Sequence, residues 1–204
     1  MKEDALRRGT KIIEDPDQNS TDFTKCVKFL REKVFPRLRQ PSNILCLGGL
    51  GGRVDQGLSQ LHHLYMEQRD SHYNNGRVYL LSTEAITFVL KKGRHRIRVH
   101  DPNAAILGKH IGIIPLREPS IITTKGLEWD VTDWPTEFGG QISTSNHVRE
   151  DVVEIATTGD VLFTVELNFP AGNHEHPEFR RELTPVISME DGTVFSTKSN
   201  RYSY

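Results

Sequence analysis

The hydrophobic positions change period partway along the chain. Phe23, Val27, Leu30 and Val34 recur at alternating steps of four and three, which places them on one face of a helix. Asn19 or Ser20 is positioned to cap that helix, Asp22 in its first turn suits the dipole, and Pro36 and Pro41 close it. Ile44–Leu47 then reads as a short buried strand. Val54, Leu58, Leu61 and Tyr65 form a second helical stripe, and Val78–Leu81 a second apolar strand. Helices alternating with fully apolar strands predict a parallel sheet in an α/β layer.

Beyond residue 84 the helical stripes stop. ITFVL, a turn at Lys91-Lys92-Gly93 and RHRIRVH predict a β-hairpin. Further strands are predicted at 111–116, 120–124, 141–144, 152–156 and 161–167, separated mostly by turn residues. The expected organisation is therefore α/β plus all-β. A partial parallel α/β nucleotide-binding domain occupies 1–83, a β-sandwich 84–167 and a poorly ordered polar tail 168–204.

Composition narrows the function. The 204 residues carry a net charge of -1 and 26% charged residues, so the basic excess needed to bind a phosphate backbone is lacking and nucleic acid is not an expected partner. No apolar run approaches a membrane span, and MKEDALRRGTK has no signal-peptide core. The two cysteines, Cys26 and Cys46, lie far apart in apolar runs and are expected to be buried and reduced, which points to a cytoplasmic setting.

The chemistry concentrates in a few segments. In CLGGLGGRVDQ, residues 46–56, an expected strand runs through glycines into a helix, leaving backbone N–H groups beside a positive dipole end where phosphate can bind. Arg53 adds a guanidinium that can grip phosphate oxygens, and Asp55 can hold that arginine or a magnesium-bound water. The spacing fits neither a Walker motif nor GxGxxG, and a tight connection alone is an equally good account. DPDQNSTDFTKC, residues 15–26, offers carboxylates at a loop-to-helix junction. Mg²⁺ could use them, although Asp, Asn and Ser are also ordinary turn and cap residues. Arg94, Arg96, Arg98 and His100 share a strand face that reads as solvated. His174 and His176 have a ligand-like spacing within the tail, with no metal assigned to them. Trp129, with Ser143, Ser145 and Asn146, could receive a flat heterocycle, or could be a core tryptophan near a serine-rich turn.

Taken together, DPDQNSTDFTKC, LGGLGGRVDQ, GRHRIRV, GIIPL, TTKGLEW and STSN, in that order over residues 11–167, resemble the thiamine pyrophosphokinase family, in a eukaryotic, fungal-like form. The resemblance implies pyrophosphoryl transfer from ATP to thiamine with Mg²⁺, in a homodimer whose sites lie between subunits. It implies Asp22 as a catalytic and magnesium-handling carboxylate. Gly49, Gly51, Gly52, Arg53 and Asp55 would form the phosphate loop, with Thr21 and Gln56 beside the nucleotide. Gln18 would lie near the junction of the two substrates, and Trp129, Ser143, Ser145 and Asn146 would receive the vitamin.

The family also carries an Ala-Asp-Gly-Gly-Ala-Asn and a Gly-Asp-x-Asp-Ser segment, and this sequence starts after both. A truncated member with impaired activity is the resulting expectation. A non-catalytic thiamine-binding or dimerising relative and a structural β-sandwich module are the alternatives.

Overall fold

The computed structural model describes residues 13–38, 42–48, 50–69, 76–100, 106–168, 187–188 and 194–195. Helix α1, Asp22–Phe29, opens at Thr21, whose extended backbone and hydroxyl make the cap: Thr24 N–H donates to Thr21 Oγ1 at 3.2 Å. The cap is therefore neither Asn19 nor Ser20. The helix loosens into a π-turn at Leu30–Val34 and a 3₁₀ turn at Phe35–Arg37, where Pro36 lacks the donor to continue it. Pro41 lies outside the described residues.

Strand β1, Ile44–Leu47, leads through the glycine loop to helix α2, Val54–Glu67, and then to β2, Val78–Leu81. β1 and β2 pair in parallel, Ile44 opposite Val78, as the α/β pattern requires. Eight further described strands follow and fill the sandwich: β3 Ala85–Leu90, β4 Gly93–Arg98, β5 Leu107–Ile114, β6 Ser120–Lys125, β7 Trp134–Thr136, β8 Ser143–His147, β9 Val152–Thr157 and β10 Val161–Leu167. β11 Ile187–Ser188 and β12 Val194–Phe195 pair with each other inside the expected tail, most of which lies outside the described residues.

The strands of the sandwich form two sheets. One has the order β1-β2-β3-β10-β5-β8 and the other β4-β9-β6-β7. The first sheet is the middle layer of three, because alternate side chains of its central strands enter different cores. Tyr79, Ile86, Phe88, Leu90, Phe163 and Val165 face the second sheet and pack with Ile97, Ile122, Val153 and Ile155. Val78, Leu80, Val89 and Leu162 point the other way, against Val27 and Leu64 of the helices. Burial on both faces is why these strands read as continuous apolar runs. Each fully buried side chain of this kind stabilises the fold by about 1.5–3 kcal/mol.

Three expectations are corrected. The segments 85–90 and 93–98 are not a hairpin: β3 pairs with β2 and β10, whereas β4 pairs with β9 in the other sheet. The chain changes sheets at Lys91-Lys92 because Asp160 captures both, accepting from Lys91 Nζ at 2.6 Å and Lys92 N–H at 3.0 Å. The stripe on α2 is only partly an inward face. Val54 and Leu58 are exposed, and the buried positions are His63, Leu64 and Glu67, with Arg31 beside Glu67. In β1, Ile44 is buried but Leu45 and Leu47 are exposed, since the described sheet gives β1 a neighbour on one side only.

Both cysteines are unpaired, but Cys26 is exposed rather than buried. Burial pushes the Cys46 thiol up to about 11. Arg94, Arg96 and Arg98 do form a solvated face, with Arg96 Nε 3.3 Å from Glu154. His174 and His176 lie outside the described residues. No described helix is long and apolar enough to cross a membrane.

Candidate functional site

The glycine loop leaves the end of β1 with Gly48 N–H bonded to Leu81 O at 2.8 Å. Gly48 and Gly52 have φ of 75° and 71°, a left-handed conformation that favours glycine. Among the described residues, and apart from the glycines' own chain neighbours, no atom lies within 4 Å of where a side chain on Gly48, Gly51 or Gly52 would begin. Gly49 lies outside the described residues.

Arg53 stands at the cap position of α2, and its side chain makes no cap bond. The dipole behind that helix start favours an anion. The Arg53 guanidinium forks onto Asp55, Nε to Oδ1 at 3.1 Å and a terminal nitrogen to Oδ2 at 2.7 Å. Arg53 beside it holds the Asp55 carboxyl below the usual carboxylate range, with a smaller contribution from Gln56, whose amide donates to Oδ2 at 3.4 Å. Loop, Arg53, Asp55 and Gln56 thus form one exposed, anion-ready edge.

The helix end that carries Asp22 is tied to the later turns of α2. Thr21 Oγ1 lies 2.8 Å and Thr24 Oγ1 3.0 Å from Nε2 of the buried His63, while His63 Nδ1 donates to Ser59 O at 2.6 Å. That bond leaves Nε2 as the acceptor for the threonine hydroxyls. Farther along, Arg31 of the π-turn donates to Glu67 O at 3.1 Å, so α1 and α2 run in the same direction. His63 is ten residues from Arg53, about 15 Å along the helix axis. The Asp22 carboxylate is fully exposed, with Lys25 Nζ at 3.8 Å. Among the described residues no three His, Cys, Asp or Glu side chains converge as a metal cluster. Asp22 therefore offers a single exposed carboxylate, beside the later turns of α2 rather than at its Arg53 end.

Gln18 precedes α1 in a turn built by Asp17. The Asp17 carboxylate accepts from Ser20 Oγ and from Asn19 N–H at 2.8 Å, and the Ser20 bond is the main cause of its lowered pKa. Gln18 is exposed and donates to Pro16 O at 3.3 Å.

The second constellation lies at the other end of the sheet. Trp129 is 56% exposed, so it is not a core tryptophan. Its backbone is locked by the buried Asn146: Trp129 N–H donates to Oδ1 at 3.1 Å, and Nδ2 donates to Trp129 O at 2.9 Å. Asp130 fastens the same loop by accepting from Thr124 Oγ1 at 2.9 Å, Gly126 N–H at 3.0 Å and Leu127 N–H at 3.2 Å.

Beside Trp129 lies a recess of about 270 Å³, lined also by Thr124, Val131, Trp134, Ser143 and Asn146. Ser145 has φ of 55° and does not line the recess. Trp129, Ser143 and Asn146 line one recess together with Thr124, Val131 and Trp134. Trp134 was within reach of sequence reading, since its separation from Trp129 is short. Nothing in the sequence marks Asp130 as the organiser of the loop.

A glycine loop beside Arg53 in the α/β layer and an aromatic recess in the β-sandwich are the two constellations of the described residues. A family model described as "Thiamin pyrophosphokinase, catalytic domain" matches residues 1–74, and one described as "Thiamin pyrophosphokinase, vitamin B1 binding domain" matches residues 94–162. Thiamine pyrophosphokinase 2 of Arabidopsis thaliana is 35% identical over 173 residues, 82% of this chain and 61% of that protein. Thiamine pyrophosphokinase of Saccharomyces cerevisiae is 30% identical over 201 residues, 76% of this chain and 61% of that protein. The crystal structure of the yeast enzyme superposes with a TM-score of 0.69 at 27% identity, covering 82% of this chain and 65% of that one. The Candida albicans thiamin pyrophosphokinase, at 23% identity and a TM-score of 0.66, shares the fold over 82% of this chain and 68% of its own. The chain belongs to the thiamine pyrophosphokinase family. It spans about three fifths of the length of the curated relatives it matches.

Proposed function

We propose that this protein transfers pyrophosphate from ATP to thiamine, giving thiamine diphosphate and AMP. The thiamine hydroxyl attacks the β-phosphorus, the bond from that phosphorus to the α-phosphate oxygen breaks, and AMP departs. Such a transfer depends on positioning and charge neutralisation, which Arg53 and the positive dipole end of α2 fit. Mg²⁺ would arrive with the triphosphate, neutralise its charge and take Asp22 as one protein ligand. Thr21 fixes the helix end that carries Asp22, and Gln18 and Gln56 flank the nucleotide. Trp129 stacks on the vitamin, with Ser143 and Asn146 beneath it and Ser145 at the rim. In this reading residues 1–83 handle ATP and residues 84–167 handle thiamine.

One observation carries the proposal further. The phosphate loop follows β1 and the Trp129 recess adjoins β8, at opposite edges of a six-stranded sheet. Five strand spacings separate them, about 24 Å. For two substrates that must touch, this separation supports a homodimer in which the loop of one copy faces the recess of the other.

The test is AMP release and thiamine titration, each with and without Mg-ATP, with sedimentation to establish the assembly. Mg-ATP-dependent AMP release by a dimer supports the proposal. Thiamine binding without AMP favours a non-catalytic relative, and binding of neither ligand favours a structural module. The cytoplasmic setting expected from the unpaired thiols is part of the same proposal and is checked by fractionation.

A further inference from the structure

His110 on β5 and His147 on β8 are direct cross-strand partners, so their side chains rise from the same face of the sheet. Their rings lie 4.9 Å apart between centroids at an interplanar angle of 66°. Each Nδ1 is held by its own carboxylate: His110 by Glu166 Oε2 at 2.7 Å, and His147 by Glu128 Oε2 at 2.5 Å. With Nδ1–H donating to a carboxylate, the lone pair of each neutral ring lies on Nε2. No described group bonds either Nε2. Both side chains are partly exposed, 41% and 26%, so solvent solutes can reach them.

Two adjacent imidazoles, each oriented by a carboxylate on its far nitrogen, have the supporting shell that metal-binding histidines use. The local charge favours a cation as well: two carboxylates are offset by one arginine, Arg149, 2.7 Å from Glu128 Oε1. Imidazole nitrogen selects Zn²⁺, Ni²⁺ or Cu²⁺ over Mg²⁺, which prefers oxygen. We propose that His110 and His147 bind a divalent transition-metal ion of the Zn²⁺ class through their Nε2 atoms. Among the described residues no third ligand of the usual kinds joins them, so water completes the coordination sphere. The site is separate in chemistry from the magnesium accompanying ATP, and it does not depend on the proposed reaction.

His147 also lies 5.0 Å from the Trp129 ring, which provides an optical reporter. The full chain is titrated at neutral pH with Zn²⁺ by calorimetry and with Cu²⁺ by tryptophan fluorescence. One equivalent should bind, with quenching that Trp129→Phe removes while the calorimetric binding persists. His110→Gln and His147→Gln should each abolish the binding. Glu166→Gln, which leaves both rings in place, should weaken it about tenfold. His100→Gln, at an exposed histidine paired with Asp151, should change nothing. Unaltered binding in both ring variants, loss of binding in His100→Gln, or no binding by the parent chain overturns the proposal. If the ring variants fail to fold, an unaltered affinity in folded Glu166→Gln overturns it by itself.

Discussion

Thr21 Oγ1 lies 2.8 Å from His63 Nε2, and this contact ties the start of α1 to the flank of α2. It joins the helix end bearing Asp22 to the helix that begins at Arg53. His63→Leu keeps an apolar body but strands two threonine hydroxyls and removes the donor to Ser59 O. A loss of about 1–3 kcal/mol is expected, measured by denaturant unfolding. Activity should fall beyond the fraction unfolded, because Asp22 loses its fixed support.

Arg53→Ala should separate binding from stability. Arg53 and Asp55 are mostly exposed, 77% and 59%, so their ion pair contributes little to folding. ATP affinity should nevertheless fall tenfold or more, because the fork that meets phosphate is gone. Unfolding midpoint and nucleotide titration on one sample check both parts.

Trp129→Ala should abolish thiamine binding and leave ATP affinity nearly unchanged. Asn146→Ala should also weaken thiamine binding, but with a stability cost of about 1–3 kcal/mol, since the buried amide holds Trp129 through two bonds. Equal loss of both ligands in Trp129→Ala would count against stacking. The contrast between the two variants distinguishes contact with the vitamin from support of that contact.

Mixing the inactive Arg53→Ala and Trp129→Ala chains tests the dimer. If each site joins the loop of one copy to the recess of the other, mixed dimers contain one intact site. Random pairing in a two-fold dimer then restores about a quarter of parental activity. No recovery after subunit exchange would show that each chain needs its own loop and recess.

Cys46 gives the pH prediction. Its thiol ionises near 11 in the folded protein, against an ordinary value of 9.0, because burial disfavours the thiolate. The folded pKa is raised, so this contribution to stability is complete below about 9 and declines as pH rises from 9 toward 11. Alkylation at mildly alkaline pH should label the exposed Cys26 first, with Cys46 following only as pH approaches its folded value.

Much of this was legible in the sequence because the signals are local. The helical stripe beginning at Phe23 and the strands at 78–81 and 161–167 depend on nearest-neighbour pattern, and each appears where expected. Two adjacent strand patterns over 85–98 suggest a hairpin, but they do not reveal that the chain changes sheets there, a crossing that Asp160, nearly seventy residues on, fastens. Helical period reveals the stripe that includes Leu58 but not what covers it, while the inward His63 is polar and satisfied by distant threonines. In the candidate site, Trp129 and Asn146 were legible as residues. Their reciprocal bonds and the distance of their recess from the glycine loop follow from strand order, which no short motif encodes.

That strand order has a mechanical consequence. β10, from the C-terminal part of the sandwich, lies between β3 and β5, and β3 in turn pairs with β2 of the parallel layer. The tasks proposed for the two halves divide near residue 84, but the backbone ladder does not break there. Heat or denaturant should therefore melt both halves in a single transition. Amide protons of Val89 and Phe163 should exchange together, at the rate of whole-molecule unfolding.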